Sequence, residues 1–231
     1  EIGAEVDESL QTPRRIRRLT PSDPTPPEAS HTASWFEPPQ KGLDLPPADL
    51  TPSGVVPVPV QKIAPALSYG GRPTIASGQN NAALGDSFHA SLATYLNHPG
   101  IADFERKVEA IFEAHEVEAD ISGVSSSIRT FHDFLIQKFQ PSELLVEVPF
   151  TCFNAAEQRI TGFIDLVLLT REGAVIIDHK SYLGKGLDER AARYSGQLDA
   201  YQKALQSANH SVVSTWVHWC SQGALQEVTL P

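Results

Sequence analysis

The chain has 231 residues, a formal net charge of −10 and a pI near 5.2. That length suits one domain with added material or two small ones, and no run of 18 apolar residues exists to cross a membrane as a helix. Two cysteines exclude a four-thiolate zinc or iron–sulfur centre, and the acidic balance argues against a free-standing binder of nucleic acid, whose affinity comes mainly from Lys and Arg.

The chain opens on Glu1-Ile2-Gly3-Ala4, with neither an initiator Met nor a basic-then-apolar signal pattern, and is expected to be a processed product or an excised fragment of a longer, cytoplasmic protein. Residues 1–78 hold 14 of the 18 prolines, which disfavours regular helices and central strands there. They are expected to form a Pro-rich extended arm lying partly along a folded surface, anchored by Trp35, Phe36, Leu43 and Leu45. The cluster Arg14-Arg15-Ile16-Arg17-Arg18 is either a solvated stretch or a phosphate contact. A folded domain is expected over 79–231. Its two cysteines, Cys152 and Cys220, are expected to be reduced, packed thiols.

From Asn80 the pattern turns helical. Leu84, Phe88, Leu92, Tyr95 and Leu96 form one stripe that ends at His98-Pro99-Gly100. Phe104, Val108, Ile111 and Phe112 mark a second helix, and Val124, Ile128, Phe131 and Leu135 a third that stops before Pro141. Residues 143–150 read as a strand, with Pro149 pointing to a sheet edge. Two apolar runs, 162–169 and 174–180, flank the turn Arg171-Glu172-Gly173 and read as an antiparallel hairpin. A helix over 188–207 carries Ala191, Tyr194, Leu198, Tyr201 and Leu205 on one face, and strands over 212–219 and 225–230 close the chain.

The chemistry is expected in the hairpin. Asp165 interrupts the first apolar run, and Asp178 and Lys180 end the second. Charges inside covered strands are costly without partners, and the i, i+2 spacing of Asp178 and Lys180 puts both on one face. A D-x-K triplet alone is common on surface strands; two buried carboxylates beside an ammonium suit a hard cation next to a water. Mg²⁺ or Mn²⁺ is the expected ion, held by Asp165 and Asp178 with the backbone carbonyl of His179 as a further oxygen. Lys180 is expected to hold the attacking water and balance phosphate charge. Gln197 and Tyr201, four apart, share one helix face. Ser181 and the loop Gly184-Lys185-Gly186 are expected at the mouth of the site, where Ser181 can meet phosphate.

Gly162-Phe163-Ile164-Asp165, Ile177-Asp178-His179-Lys180-Ser181 and Gln197-Leu198-Asp199-Ala200-Tyr201 together resemble the PD-(D/E)xK nucleases, specifically their RecB/AddA-like branch. Gly85-Asp86-Ser87-Phe88-His89 is similar to the branch's earlier helix element. Read alone His89 is an ordinary helix histidine; the resemblance implies a metal ligand. It also implies that the face bearing Gln197 and Tyr201 positions the DNA backbone, although Tyr201 equally fits the apolar stripe. Glu147 is either near the site or a solvent-facing residue of an edge strand. The resemblance covers roughly 80–230 and implies an α/β fold, a restriction-endonuclease-like mixed sheet flanked by helices. The activity implied is metal-dependent hydrolysis of single-stranded DNA, delivered by a helicase domain or subunit in double-strand break repair and recombination. No G-x-x-x-x-G-K-[ST] loop is present, so the chain carries no motor of its own. Two other classes remain open: a silent nuclease-like domain that docks DNA ends or a protein, and a metal-binding protein indifferent to DNA.

Overall fold

The computed structural model describes residues 46–231 in full, together with the backbone of one hairpin, β1 (Gly3–Asp7) paired antiparallel with β2 (Thr12–Ile16). The hairpin belongs to one unit, Glu1–Leu45, and everything below to a second, Pro46–Pro231. The expected anchors Trp35, Phe36, Leu43 and Leu45, and the side chains of the basic cluster at 14–18, lie outside the described residues.

The rest of the Pro-rich stretch is part of the sheet. It supplies three two-residue strands, β3 (Asp49–Leu50), β4 (Lys62–Ile63) and β5 (Leu67–Ser68). Proline cannot donate to a ladder, so the strands stay short and peripheral. Between them the chain runs as a strap over one face of the sheet. Val58, Val60 and Ile63 pack into the core there, and the Ser195 hydroxyl bonds both the Val58 amide (2.9 Å) and the Val58 carbonyl (2.7 Å). Two glycines make room for the strap. A Cβ on Gly162 would stand 2.7 Å from Pro52, and one on Gly196 would meet the Val56 carbonyl.

Three helices cover the other face: α1 (Asn81–Asn97), α2 (Phe104–Ala114) and α3 (Ile121–Phe139). Asn80 caps α1 by accepting from the amides of Ala82 and Ala83, and Asp120 caps α3 by accepting from Gly123. α3 ends at Gln140, which takes a left-handed conformation just before Pro141. The stripes read from the sequence are the buried ones: Leu84, Phe88, Leu92, Phe104, Phe112 and Phe131 are all nearly inaccessible. Each such side chain stabilises the fold by roughly 1.5–3 kcal/mol relative to exposure.

The sheet follows, as β6 (Glu143–Phe153), β7 (Arg159–Leu169) and β8 (Ala174–Lys180), then α4 (Leu187–Arg193) and α5 (Ser195–Ser207), then β9 (Val212–Trp219) and β10 (Ala224–Thr229). β6, β7 and β8 are antiparallel neighbours, β8 and β9 are parallel across the α4–α5 crossover, and β9 and β10 are antiparallel. With β3 beside the start of β7, and β4 and β5 along β10, the sheet has eight strands and is mixed. Five helices flank it. This is the α/β, restriction-endonuclease-like arrangement implied by the sequence. Among the described residues β6 pairs only with β7, so Pro149 sits on an edge strand there.

One expectation is corrected. The helix over 188–207 is two helices, broken at Tyr194 (φ −91°, ψ 0°). No Pro interrupts the pattern; the turn is set by tertiary contacts, because Ser195 is held by the strap and Gly196 lies against it. A second irregularity falls at Glu147, a non-glycine residue with φ 52°. On β6, Leu144 and Val146 face α1–α3, whereas Val148 and Phe150 face the opposite core; β7 reverses likewise between Leu166 and Ile164. The pairs Val146↔Leu166 and Val148↔Ile164 keep one register across the reversal. Both strands therefore swap faces at the level of Glu147 and Asp165.

Candidate active site

The regular pairing of β7 with β8 ends at Leu166↔Ile177, and the next residues on the two strands are Asp165 and Asp178. The strands part there, and both carboxylates lie in the fork. Asp178 is wholly buried. Its Oδ2 stands 2.7 Å from the Lys180 ammonium, and no donor among the described residues bonds its Oδ1. Asp165 Oδ2 accepts the backbone N–H of His179 at 2.6 Å.

α1 brings in the third group. Its Gly85 side lies against the end of β8, where an added Cβ would stand 3.4 Å from Ser181 Oγ. One turn on, His89 Nε2 is 3.2 Å from the His179 carbonyl. A carbonyl only accepts, so the proton sits on Nε2 and the Nδ1 lone pair is left free. Nδ1 faces Asp165 Oδ1 at 3.8 Å and Glu147 Oε1 at 3.9 Å. A lone pair between two carboxylates is a place for a proton or for a cation, and His89, Glu147 and Asp165 together could hold a metal ion.

The electrostatics follow from burial. Burial raises the Asp165 carboxyl, and the nearby Asp178 charge adds to it, so the group is pushed up to about 7. Burial works against the Lys180 ammonium, but the charges of Asp178 and Asp165 outweigh it and hold the group above the usual lysine value. Burial likewise opposes the His89 imidazolium, and Glu147 and Asp165 outweigh that too, leaving it raised. These opposed shifts mark a site that gathers more negative charge than its own cations balance.

The remaining expected residues sit around this centre. On α5, Gln197 Nε2 donates to the Tyr201 hydroxyl at 2.5 Å, and the Gln197 Oε1 has no partner among the described residues. Tyr201 is also core, packed edge-on to Phe150 at 5.3 Å; burial and the charges of Asp178 and Asp165 push its hydroxyl up. Ser181 follows Lys180, with its carbonyl accepting from Ser221. The loop after it is tied down rather than free, since Gln222 donates to the carbonyls of Tyr182 (3.1 Å) and Gly184 (2.8 Å). The His179 side chain points away from the fork into the α1–α3 core. There its Nδ1 meets His218 Nδ1 at 2.9 Å, and His218 Nε2 meets the Tyr69 hydroxyl at 2.8 Å.

Three groups near the site were not singled out from the sequence for a role in it. Tyr194 reads as one more member of an apolar stripe, yet its ring carries Lys180 Nζ at 4.8 Å. Arg190, one turn earlier, bonds the Tyr194 hydroxyl. His218 lies in an apolar strand with nothing to mark its partner. Cys220 is buried and Cys152 half-buried, both as free thiols pushed up by burial.

Residues 66–224 match the family model described as "PD-(D/E)XK nuclease superfamily". The chain belongs to that superfamily. PD-(D/E)XK nucleases use divalent metals, and the acidic and histidine groups of this fork are of the kind that could bind one. A search of the curated proteins found no match. Among solved structures, one titled "Crystal structure of SSO0001" aligns at 12% identity over 68% of this chain and 71% of that one, with a TM-score of 0.29. Among the described residues no helix is long and apolar enough to cross a membrane.

Proposed function

We propose that this PD-(D/E)XK chain is a Mg²⁺- or Mn²⁺-dependent deoxyribonuclease of the RecB/AddA-like branch. It hydrolyses phosphodiester bonds of single-stranded DNA delivered by a helicase domain or subunit, in cytoplasmic double-strand break repair and recombination. The observation that carries the reading is Asp178: a wholly buried carboxylate whose Oδ2 meets the Lys180 ammonium at 2.7 Å while its Oδ1 has no donor among the described residues, beside a second buried carboxylate. A buried orphan of this kind needs an explanation, and a cation is the one that fits oxygen donors. His89, Asp165, Asp178 and the His179 carbonyl would hold the ion, with Glu147 as a further carboxylate in reach of His89. A bound Mg²⁺ or Mn²⁺ supplies Lewis acidity at the scissile phosphate and lowers the pKa of the attacking water.

The chain's own residues do the rest. Lys180 stays an ammonium because its carboxylates outweigh its burial, so it can orient a water and donate to a phosphate oxygen as charge builds there. The His179 N–H fixes one oxygen of Asp165 and leaves the other toward His89. Gln197 and Tyr201 would place the strand's backbone from the α5 side, and Ser181 would meet it at the mouth. Single-stranded substrate is favoured because a chain with a net charge of −10 has little grip on duplex phosphates.

The test is cleavage of end-labelled single-stranded DNA with Mg²⁺, Mn²⁺ or EDTA, by wild type, Asp178→Ala and Lys180→Ala. Metal-dependent cutting lost in both variants is the expected result. A wild type that cuts no strand but binds Mn²⁺, with that binding lost in Asp178→Ala, would keep the metal site standing; one that neither cuts nor binds Mn²⁺ would favour the silent docking module, and efficient cutting of blunt duplex at physiological salt would sink the single-strand assignment.

A further inference from the structure

Arg190 forms no ion pair with any described residue, although the chain has 28 acidic residues against 18 basic ones. It is half-buried and held by aromatic rings instead. Its guanidinium carbon lies 5.0 Å from the centre of the Tyr182 ring and 5.7 Å from that of Tyr194, and its Nε–H donates to the Tyr194 hydroxyl at 3.1 Å. Of the two acidic residues on the same helix, Asp188 accepts from Gln226 at 2.6 Å and Glu189 forms no ion pair with a described residue. Guanidinium has five N–H donors in a rigid fork, and here only Nε–H is used among the described residues.

Both rings are fixed. The Tyr182 hydroxyl donates to the Lys185 carbonyl at 3.1 Å, and the Tyr182 carbonyl is held by Gln222. Tyr194 packs near Trp219 and carries Lys180 Nζ at 4.8 Å from its ring centre. One aromatic ring therefore links the Lys180 ammonium to the Arg190 guanidinium. A cation beside an aromatic face is attracted without being neutralised, so its donors stay available for an anion in a way that a carboxylate partner would prevent.

We propose that Arg190 is a binding site for a backbone phosphate of the nucleic-acid strand, next to the phosphate handled by Lys180. Tyr182 and Tyr194 present its fork, a geometry suited to two oxygens of one phosphate. This rests on the nuclease reading of the same fork and deepens it by adding a second phosphate contact.

The experiment is binding of a fluorescent single-stranded oligonucleotide to the full chain in Ca²⁺, across a series of salt concentrations, for wild type, Arg190→Gln and Arg190→Lys. Mn²⁺ affinity is measured in parallel as a check on the fork. Arg190→Gln is expected to weaken the oligonucleotide about tenfold or more and to lower the salt slope by about 0.7, with Mn²⁺ affinity held. Arg190→Lys is expected to restore the slope but only part of the affinity, since it keeps the charge and loses the fork. Wild-type affinity and slope in Arg190→Gln would overturn the assignment while leaving the nuclease reading intact. Should Arg190→Gln fail to fold, an Arg190→Lys variant with full wild-type affinity would overturn it equally. A wild type that binds no oligonucleotide at all would instead sink the nuclease reading, and this site with it.

Discussion

At the scale of single residues, the site is a set of charges held at unusual values, and its pH behaviour follows. In the metal-free chain the Asp165 carboxyl is pushed up to about 7, so below that pH a cation must displace its proton. Apparent Mn²⁺ affinity is expected to rise at least about tenfold per pH unit up to about 7, and to level off only once His89, itself raised, has also lost its proton, as titration calorimetry would show. Stability has the opposite sign. A carboxyl raised from 3.8 to about 7 binds its proton more tightly when folded, so it lowers stability progressively as pH climbs through that window. Thermal melts of Asp165→Asn without metal should therefore fall less steeply from pH 4 to 7 than those of wild type. The pair Asp178 and Lys180 was legible in the sequence because a D-x-K inside apolar surroundings is costly without a purpose. Glu147 was only half legible. Nothing in Glu147-Val148-Pro149 announces a left-handed residue, and it is that conformation which accompanies the reversal of both strands at the site. The left-handed turn costs roughly 1–2 kcal/mol for a residue with a Cβ. Glu147→Gly is expected to leave melting temperature level or higher while weakening Mn²⁺ binding.

At the scale of elements, α1, α2 and α3 were readable from their period because each buries one face, and β7 and β8 from apolar runs because both faces are covered, whereas α4 and α5 read as one helix. What the sequence hid was the strap. Val56-Pro57-Val58-Pro59-Val60 has the composition of a linker, and only the structure shows Ser195, Gly196 and Gly162 shaped to receive it. This yields a test with a clear sign. In an exposed helix Gly→Ala gains up to about 1 kcal/mol from helix propensity. Gly196→Ala should instead lower the melting temperature, because its Cβ would press on the Val56 carbonyl. A rise would mean that the strap does not lie against α5. The break at Tyr194 has the same origin: local propensity favours one long helix, and packing overrides it.

At the scale of the whole molecule, the acidic balance bears on the proposed choice of substrate. With a net charge of −10, affinity for nucleic acid is expected to rest on few phosphate contacts, and its salt dependence should be shallow compared with that of a duplex-binding domain. Filter binding of equal-length single-stranded and duplex DNA, over a salt series, checks this; tighter duplex binding would count against the reading. Composition placed the change from arm to domain near residue 78, whereas compactness places it between Leu45 and Pro46. The difference is physical: proline content reports what a segment cannot form alone, and is silent about edges it can complete.

That completion has a consequence for how the protein is made. Residues 49–68 touch the start of β7 through β3 and the outer side of β10 through β4 and β5, so one early segment waits for the last strand of the chain. Such long sequence separations slow folding, because the loop entropy is lost before the contact rewards it. On the ribosome the strap emerges well before β10, its partner in the sheet. This side of the sheet can close only after β10 has been released, and until then Val58, Val60 and Ile63 lack the β10 side of their binding surface. Closure of the sheet is thus a late step that waits on β10.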